Sequence, residues 1–149
     1  MRGRVFRMGL RGLLTAVVTT VAALGCGPSS ITSTRIAGAI APTFANLVQV
    51  QISRLGLPPV AASDFAVAAS CRKLVLGSDR GAGDWACALV WHGPRGQSMT
   101  DTYDLSVSTD GCYTATIEGE ELGGATIKAS DGSDLRNLLY AFEGCFDPS

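Results

Sequence analysis

Two adjacent prolines, Pro58 and Pro59, mark the point where the apolar residues of this chain change their period, and that change constrains the fold more than any other feature. Before them, over residues 34–55, Ile36, Ile40, Phe44, Leu47, Val48 and Leu55 recur at three- and four-residue intervals, the spacing of one helical face. Pro42 interrupts the run. Either the helix is kinked there, or a first turn ends and the main helix begins with Pro42 near its first position, where a missing N–H costs nothing. Gly56 followed by the prolines is a stop signal. After them the period is two. Phe65, Val67, Ala69 and Cys71 alternate with Asp64, Ala66, Ala68 and Ser70. Trp85, Cys87, Leu89 and Trp91 alternate with Ala86, Ala88 and Val90, which are also apolar and suggest a central strand. Tyr103, Leu105 and Val107 alternate with Asp104, Ser106 and Ser108, so one face there is wet. Asp110-Gly111 is a hairpin signal, and Tyr113, Ala115 and Ile117 continue the alternation after it. Residues 125–129 and 138–142 flank the turn residues 131–134 and read as a second hairpin. The longest loops expected are 77–83 and 92–99. The layout predicts an α+β domain of two layers, one N-terminal amphipathic helix packed on an antiparallel sheet of about five strands.

The cysteines extend this reading to redox state and topology. There are five, an odd number that needs explaining in an exported chain. Arg2, Arg4, Arg7 and Arg11 open the sequence without an acidic residue among them, and residues 13–24 form an apolar run too short to span a bilayer comfortably. Ala23-Leu24-Gly25-Cys26 follows and resembles a lipobox, in which the cysteine thiol accepts a diacylglyceryl group; Ala23 departs from the leucine usual at its position. Residues 1–25 are therefore expected to be a signal peptide, 26–33 a lipid-attached tether, and 34–149 a single extracytoplasmic domain. An ordinary signal peptide cleaved at the same bond is the alternative, and an uncleaved anchor the third reading. Lipidation of Cys26 leaves Cys71, Cys87, Cys112 and Cys145, an even set in an oxidising compartment. Three pairings are open; Cys71 with Cys87 and Cys112 with Cys145 close the shortest loops. A zinc site is disfavoured, because no CxxC pair exists and His92 is the only histidine. Beyond the leader, eight basic side chains face thirteen acidic ones, a net charge of −5, which argues against nucleic acid as a partner.

Catalytic chemistry has little to build on. His92 sits at a strand end, with Ser98, Asp101 and Asp104 close in sequence but no GxSxG elbow. Glu120 and Glu121 are adjacent and fall in a glycine-flanked loop, and Asp131 with Asp134 lacks the rest of a calcium loop. The glycines at 77, 81 and 83 match neither a P-loop nor a dinucleotide fingerprint. Arg72-Lys73 is a small basic spot that reads as a solvated strand end. No catalytic residue, cofactor site or metal site is assigned. Among the strand-borne aromatics, Trp85, Trp91, Tyr103 and Tyr113 are the candidates for a binding surface, with core packing as their alternative role.

Four segments carry a resemblance: 34–46, Asp84-Trp85-Ala86-Cys87, Gly111-Cys112-Tyr113-Thr114-Ala115, and Glu143-Gly144-Cys145-Phe146-Asp147-Pro148. In these the chain resembles small exported lipoprotein-like proteins of high-GC Gram-positive bacteria, a group with no assigned activity. The resemblance implies export and supplies no functional residue. Ten arginines to two lysines, with abundant Ala and Gly, fit a GC-rich genome. The expected function is a non-catalytic envelope lipoprotein, held at the extracytoplasmic face of the cell membrane by its N-terminal lipid or else secreted. Its domain is expected to bind an envelope protein or a cell-wall component. An accessory subunit of a transport or secretion complex is the alternative, and a small hydrolase using His92 the least favoured reading.

Overall fold

The computed structural model describes residues 30–149. The leader expected over 1–25, and Cys26 with it, lies outside the described residues. The first element is the helix α1, Ser33–Arg54. Thr32 caps it, its side-chain oxygen accepting from the backbone N–H of Arg35, which satisfies one of the orphan donors of the first turn. At the other end Gly56 takes φ 73°, the amide of Leu57 bonds the Ile52 carbonyl, and the amide of Gly56 bonds that of Ser53. That is the paired closure in which a left-handed glycine ends a helix, as the Gly-Pro-Pro signal implied.

The helix runs unbroken through Pro42, so of the two arrangements open at that residue the second, a main helix beginning near Pro42, is not adopted. Proline lacks the N–H that would bond the Gly38 carbonyl, but both residues are exposed, which leaves that carbonyl open to solvent. Ile31 is buried, so the packed domain begins a few residues before the expected boundary at 34.

After α1 a short 3₁₀ turn, Ala62–Phe65, precedes the strands β1 (Ala68–Lys73), β2 (Gly83–His92), β3 (Ser98–Val107), β4 (Cys112–Glu118), β5 (Thr126–Lys128), β6 (Asp134–Arg136) and β7 (Ala141–Cys145). The main sheet is antiparallel in the order β1-β2-β3-β4-β7, and β5 pairs β6 in a separate ribbon. One helix on a five-stranded antiparallel sheet is the α+β arrangement expected. Helix and sheet enclose one core: the Phe44 ring lies 5.2 Å from Trp91, 5.8 Å from Tyr103 and 6.5 Å from Phe142, which ties α1 to β2, β3 and β7.

Both disulfides have the shortest-loop pairing. Cys71 and Cys87 are direct partners across β1 and β2, and Cys112 and Cys145 across β4 and β7. The first lies in the core, where Cys87 is fully buried. The second is on the opposite face, since its neighbour pair Tyr113 and Gly144 points inward.

Three expectations are corrected. The strand expected over 64–71 begins only at Ala68, because Phe65 belongs to the 3₁₀ turn and Ala66 takes a left-handed φ of 46°. The loop expected over 92–99 shrinks to 93–97, closed by Gly93 N–H to the Gln97 carbonyl at 2.8 Å, and β3 starts at Ser98. The second hairpin forms with a different partner: β5 pairs Asp134–Arg136, while the segment after it passes to β4. Asn137 makes that exit. Buried at 1 % exposure, it donates from Nδ2 to the carbonyls of Leu122 (2.8 Å) and Gly124 (3.0 Å), and its Oδ1 accepts from the Leu139 amide and from Gln51 Nε2. Gln51 Oε1 in turn accepts from the Leu138 amide, so α1 clamps the turn that delivers Phe142 to the core.

Candidate functional site

Alternation along the strands decides which residues can meet a partner. Trp85, Trp91, Tyr103 and Tyr113 all occupy the helix-facing positions and are at most 3 % exposed. They are therefore core residues, and the binding surface expected on them is corrected. The physical reason is the sheet's single covered face: a strand rich in aromatics on one side buries that side. Trp85 Nε1 donates to the Gly81 carbonyl at 3.2 Å and Tyr103 Oη to that of Leu139 at 2.6 Å. Burial pushes the Tyr103 phenol far up, with the nearby Asp101 adding to the effect.

His92 is exposed at the end of β2 and is the register partner of Ser98, both on the uncovered face. Asp101 points to the other face, into the core. Asp104 shares the uncovered face but lies six residues further along β3, about 20 Å at 3.3 Å per residue. The group His92, Ser98, Asp101 and Asp104 is thus not brought together. Glu120 and Glu121 lie in the exposed loop after β4, and Asp131 accepts from the amide and hydroxyl of Ser133 within the β5–β6 turn. Asp134 is paired with Lys128 at 2.6 Å. Among the described residues no group of three or more His, Cys, Asp or Glu is placed to hold a metal.

Asp101 is the unexpected titratable group. It is 4 % exposed; Oδ2 accepts from Trp91 Nε1 at 2.6 Å, and Oδ1 has no partner. Burial holds its carboxyl above the ordinary range, against the Trp91 hydrogen bond and with the charge of Glu121 reinforcing it.

The surface left for recognition is the uncovered face of the five-stranded sheet. Register places Asp84, Ser106, Thr114 and Glu143 in one cross-strand row and Ala86, Asp104, Thr116 and Ala141 in the next. Ala88, Thr102 and Glu118 form a third. Ser, Thr and Ala dominate the middle of this face, Asp84, Asp104, Glu118 and Glu143 give it an acidic character, and on β1 Arg72 continues the second row. A depression of about 480 Å³ opens beside the Cys112–Cys145 bridge, lined by Ser106, Thr114 and Glu143. The signal was legible as the polar half of the alternation in β3 and β4. Sequence reasoning gave it no role because no single residue in it is chemically conspicuous.

The helix α1 is long and apolar enough to cross a membrane by length and composition, yet its Ile36, Ile40, Phe44, Val48 and Ile52 face is buried on the sheet. It is the core helix of this domain. Two disulfides are consistent with an exported chain. No family model, no curated protein and no solved structure matches the chain.

Proposed function

We propose that this chain is a non-catalytic, membrane-anchored envelope lipoprotein. Cys26 carries the lipid, and the extracytoplasmic domain binds a protein partner or a cell-wall component through the open face of its sheet. The observation that carries the reading is that face: one side of the sheet is sealed by α1, and the other is a Ser/Thr/Ala-rich surface of acidic character, with Leu74 and Arg136 at its margins. Support for the anchor comes from the leader ending in Ala23-Leu24-Gly25-Cys26, and from the two disulfides, which account for the four remaining cysteines.

A photo-crosslinking residue placed at Thr102, on the open face, tests the binding surface against the same residue at Asn46, on the exposed side of α1. In intact cells the first is expected to give a discrete adduct with an envelope protein or wall fragment, and the second none. Adducts from Asn46 alone, or from neither site, would overturn the assignment of the face. An adduct with a permease or secretion component would convert the reading to an accessory subunit of that complex. A hydrolytic activity lost in His92→Ala would contradict the non-catalytic reading.

A further inference from the structure

The β1–β2 connection begins with three consecutive exposed apolar residues. Leu74 is 43 %, Val75 58 % and Leu76 99 % exposed; the connection between α1 and β1 also exposes Leu57, at 47 %, but as a single large apolar side chain beside two prolines. A run of exposed apolar residues lowers solubility and invites aggregation, so its presence on a folded surface calls for a partner. Its neighbours are basic. Arg72, Lys73 and Arg80 bring three of the eight basic side chains beyond the leader into nine residues, with Asp79 the acid among them. Lys73 is fixed at the base of the loop, Nζ donating to the carbonyls of Arg80 and Gly81 and lying 5.8 Å from the Trp85 ring centroid.

The position of the loop in the fold says what covers it. Thr32 bridges Arg80, and the Gly81 amide donates to the Ile31 carbonyl at 2.9 Å. The chain therefore enters the domain against the base of this same loop, five residues after Cys26. At about 3.5 Å per extended residue, Ile31 cannot stand more than roughly 18 Å from a lipid held on Cys26. Asp84 stands beside the base of the loop, its carbonyl accepting from the Leu74 amide, and Asp79 pairs with Arg80 at 3.8 Å, so three cations face two carboxylates there; Asp110 and Asp147 lie at the same end of the sheet but beyond β3, two or more strand spacings away at about 4.8 Å each.

We infer that the Leu74–Val75–Leu76 tip enters the headgroup and upper acyl region of an anionic lipid bilayer, with Arg72 and Arg80 at the phosphates. The domain is thereby fixed with its β1 edge toward the membrane. The inference rests on the membrane-anchored reading for the nearness of the bilayer and adds a second, independent contact. Apolar tips flanked by cations gain from both hydrocarbon burial and surface charge; the diacylglyceryl group on Cys26 already holds the chain at the membrane, so the contribution of the loop is to fix the domain's orientation there.

The full chain is expressed with its leader, purified from membranes and reconstituted in vesicles of phosphatidylcholine with phosphatidylglycerol. The variants are L76W and R95W, the second placing its probe on the β2–β3 turn at the opposite end of the sheet. The native Trp85 and Trp91 are buried and serve as the background. Lipid brominated in its acyl chains is expected to shift L76W emission to the blue and quench it, and to leave R95W unchanged. Adding L74S to L76W is expected to weaken loop partition roughly tenfold, the scale of burying one leucine, and so to lower the quenching. Absence of quenching in L76W, or equal quenching in both variants, would overturn the inference. So would efficient L76C-to-L76C cross-linking between copies. Intact mass on the same sample reports separately whether Cys26 is acylated or the leader retained. A chain with neither is mixed with preformed vesicles and read in the same way, so failure of the anchor and failure of the loop are distinguishable.

Discussion

Replacing Asp101 with Asn separates the charge of this buried side chain from its shape. The carboxylate stands in the core against Trp91, with Oδ1 unpartnered, and burial holds its pKa above the ordinary 3.8. In the unfolded chain the group titrates near that ordinary value. Between the two pKa values the folded state therefore keeps a proton that the unfolded state has released. The stabilisation is fully present below the unfolded pKa and is lost as pH rises through the folded one. The loss is about 1.4 kcal/mol per unit of pKa elevation, an upper figure because solvent near the sheet end screens the charge. Asn keeps an acceptor for Trp91 Nε1–H and does not ionise. The carboxylates of Asp110, Asp131 and Asp147, lowered by side-chain hydrogen bonds from Ser108, Ser133 and Ser149, act with the opposite sign in both proteins and cancel in the difference. Urea unfolding followed by tryptophan emission from about pH 3 to about pH 7, with disulfides intact, gives that difference directly. The gap between D101N and the unsubstituted protein is expected to widen with pH in favour of D101N. Parallel profiles, or D101N losing stability relative to the parent as pH rises, would refute the reasoning.

Other perturbations follow from the packing. Removing Cys71–Cys87 as a double alanine should cost about 3 kcal/mol and removing Cys112–Cys145 about 3.7 kcal/mol, the chain-entropy values for separations of 16 and 33 residues, and denaturant midpoints of the two variants give the order. Gly144→Ala would set a methyl 2.4 Å from the Tyr113 hydroxyl across β4 and β7, and is expected to destabilise by about 2 kcal/mol in urea unfolding. Asn137→Ala strands the Leu122 and Gly124 carbonyls and the Leu139 amide, and a loss of roughly 3 kcal/mol is expected, with faster hydrogen exchange at Leu139.

What could be read from the residues follows their chemistry. The helix was legible because Ile36, Ile40, Phe44 and Val48 keep the helical period and Gly56 closes it; the β2 strand was legible because Trp85, Cys87, Leu89 and Trp91 put an apolar side chain at each alternate position. The true start of β3 was hidden by Asp101. A carboxylate at an inward position breaks the alternation, and only the tertiary hydrogen bond from Trp91 accommodates it there. The passage from β6 to β7 was hidden for a similar reason, since Asn137 acts through distant backbone groups that no local pattern reveals. Alternation located Trp85, Trp91, Tyr103 and Tyr113 on strands but left their face open, because which side of a sheet is covered depends on where the helix lands. Nothing in the pattern around Leu74, Val75 and Leu76 marks them as exposed; their exposure comes from the turn at Gly77 and the return through Arg80 to Ile31.

The most direct test of a lipid-anchored envelope domain is the intact mass of the mature protein isolated from native membranes. The expected species is a chain beginning at Cys26, heavier than its sequence by a lipid modification and lighter by the four hydrogens lost in forming Cys71–Cys87 and Cys112–Cys145. A chain that begins at Cys26 with no added mass, or one that retains residues 1–25, would contradict it.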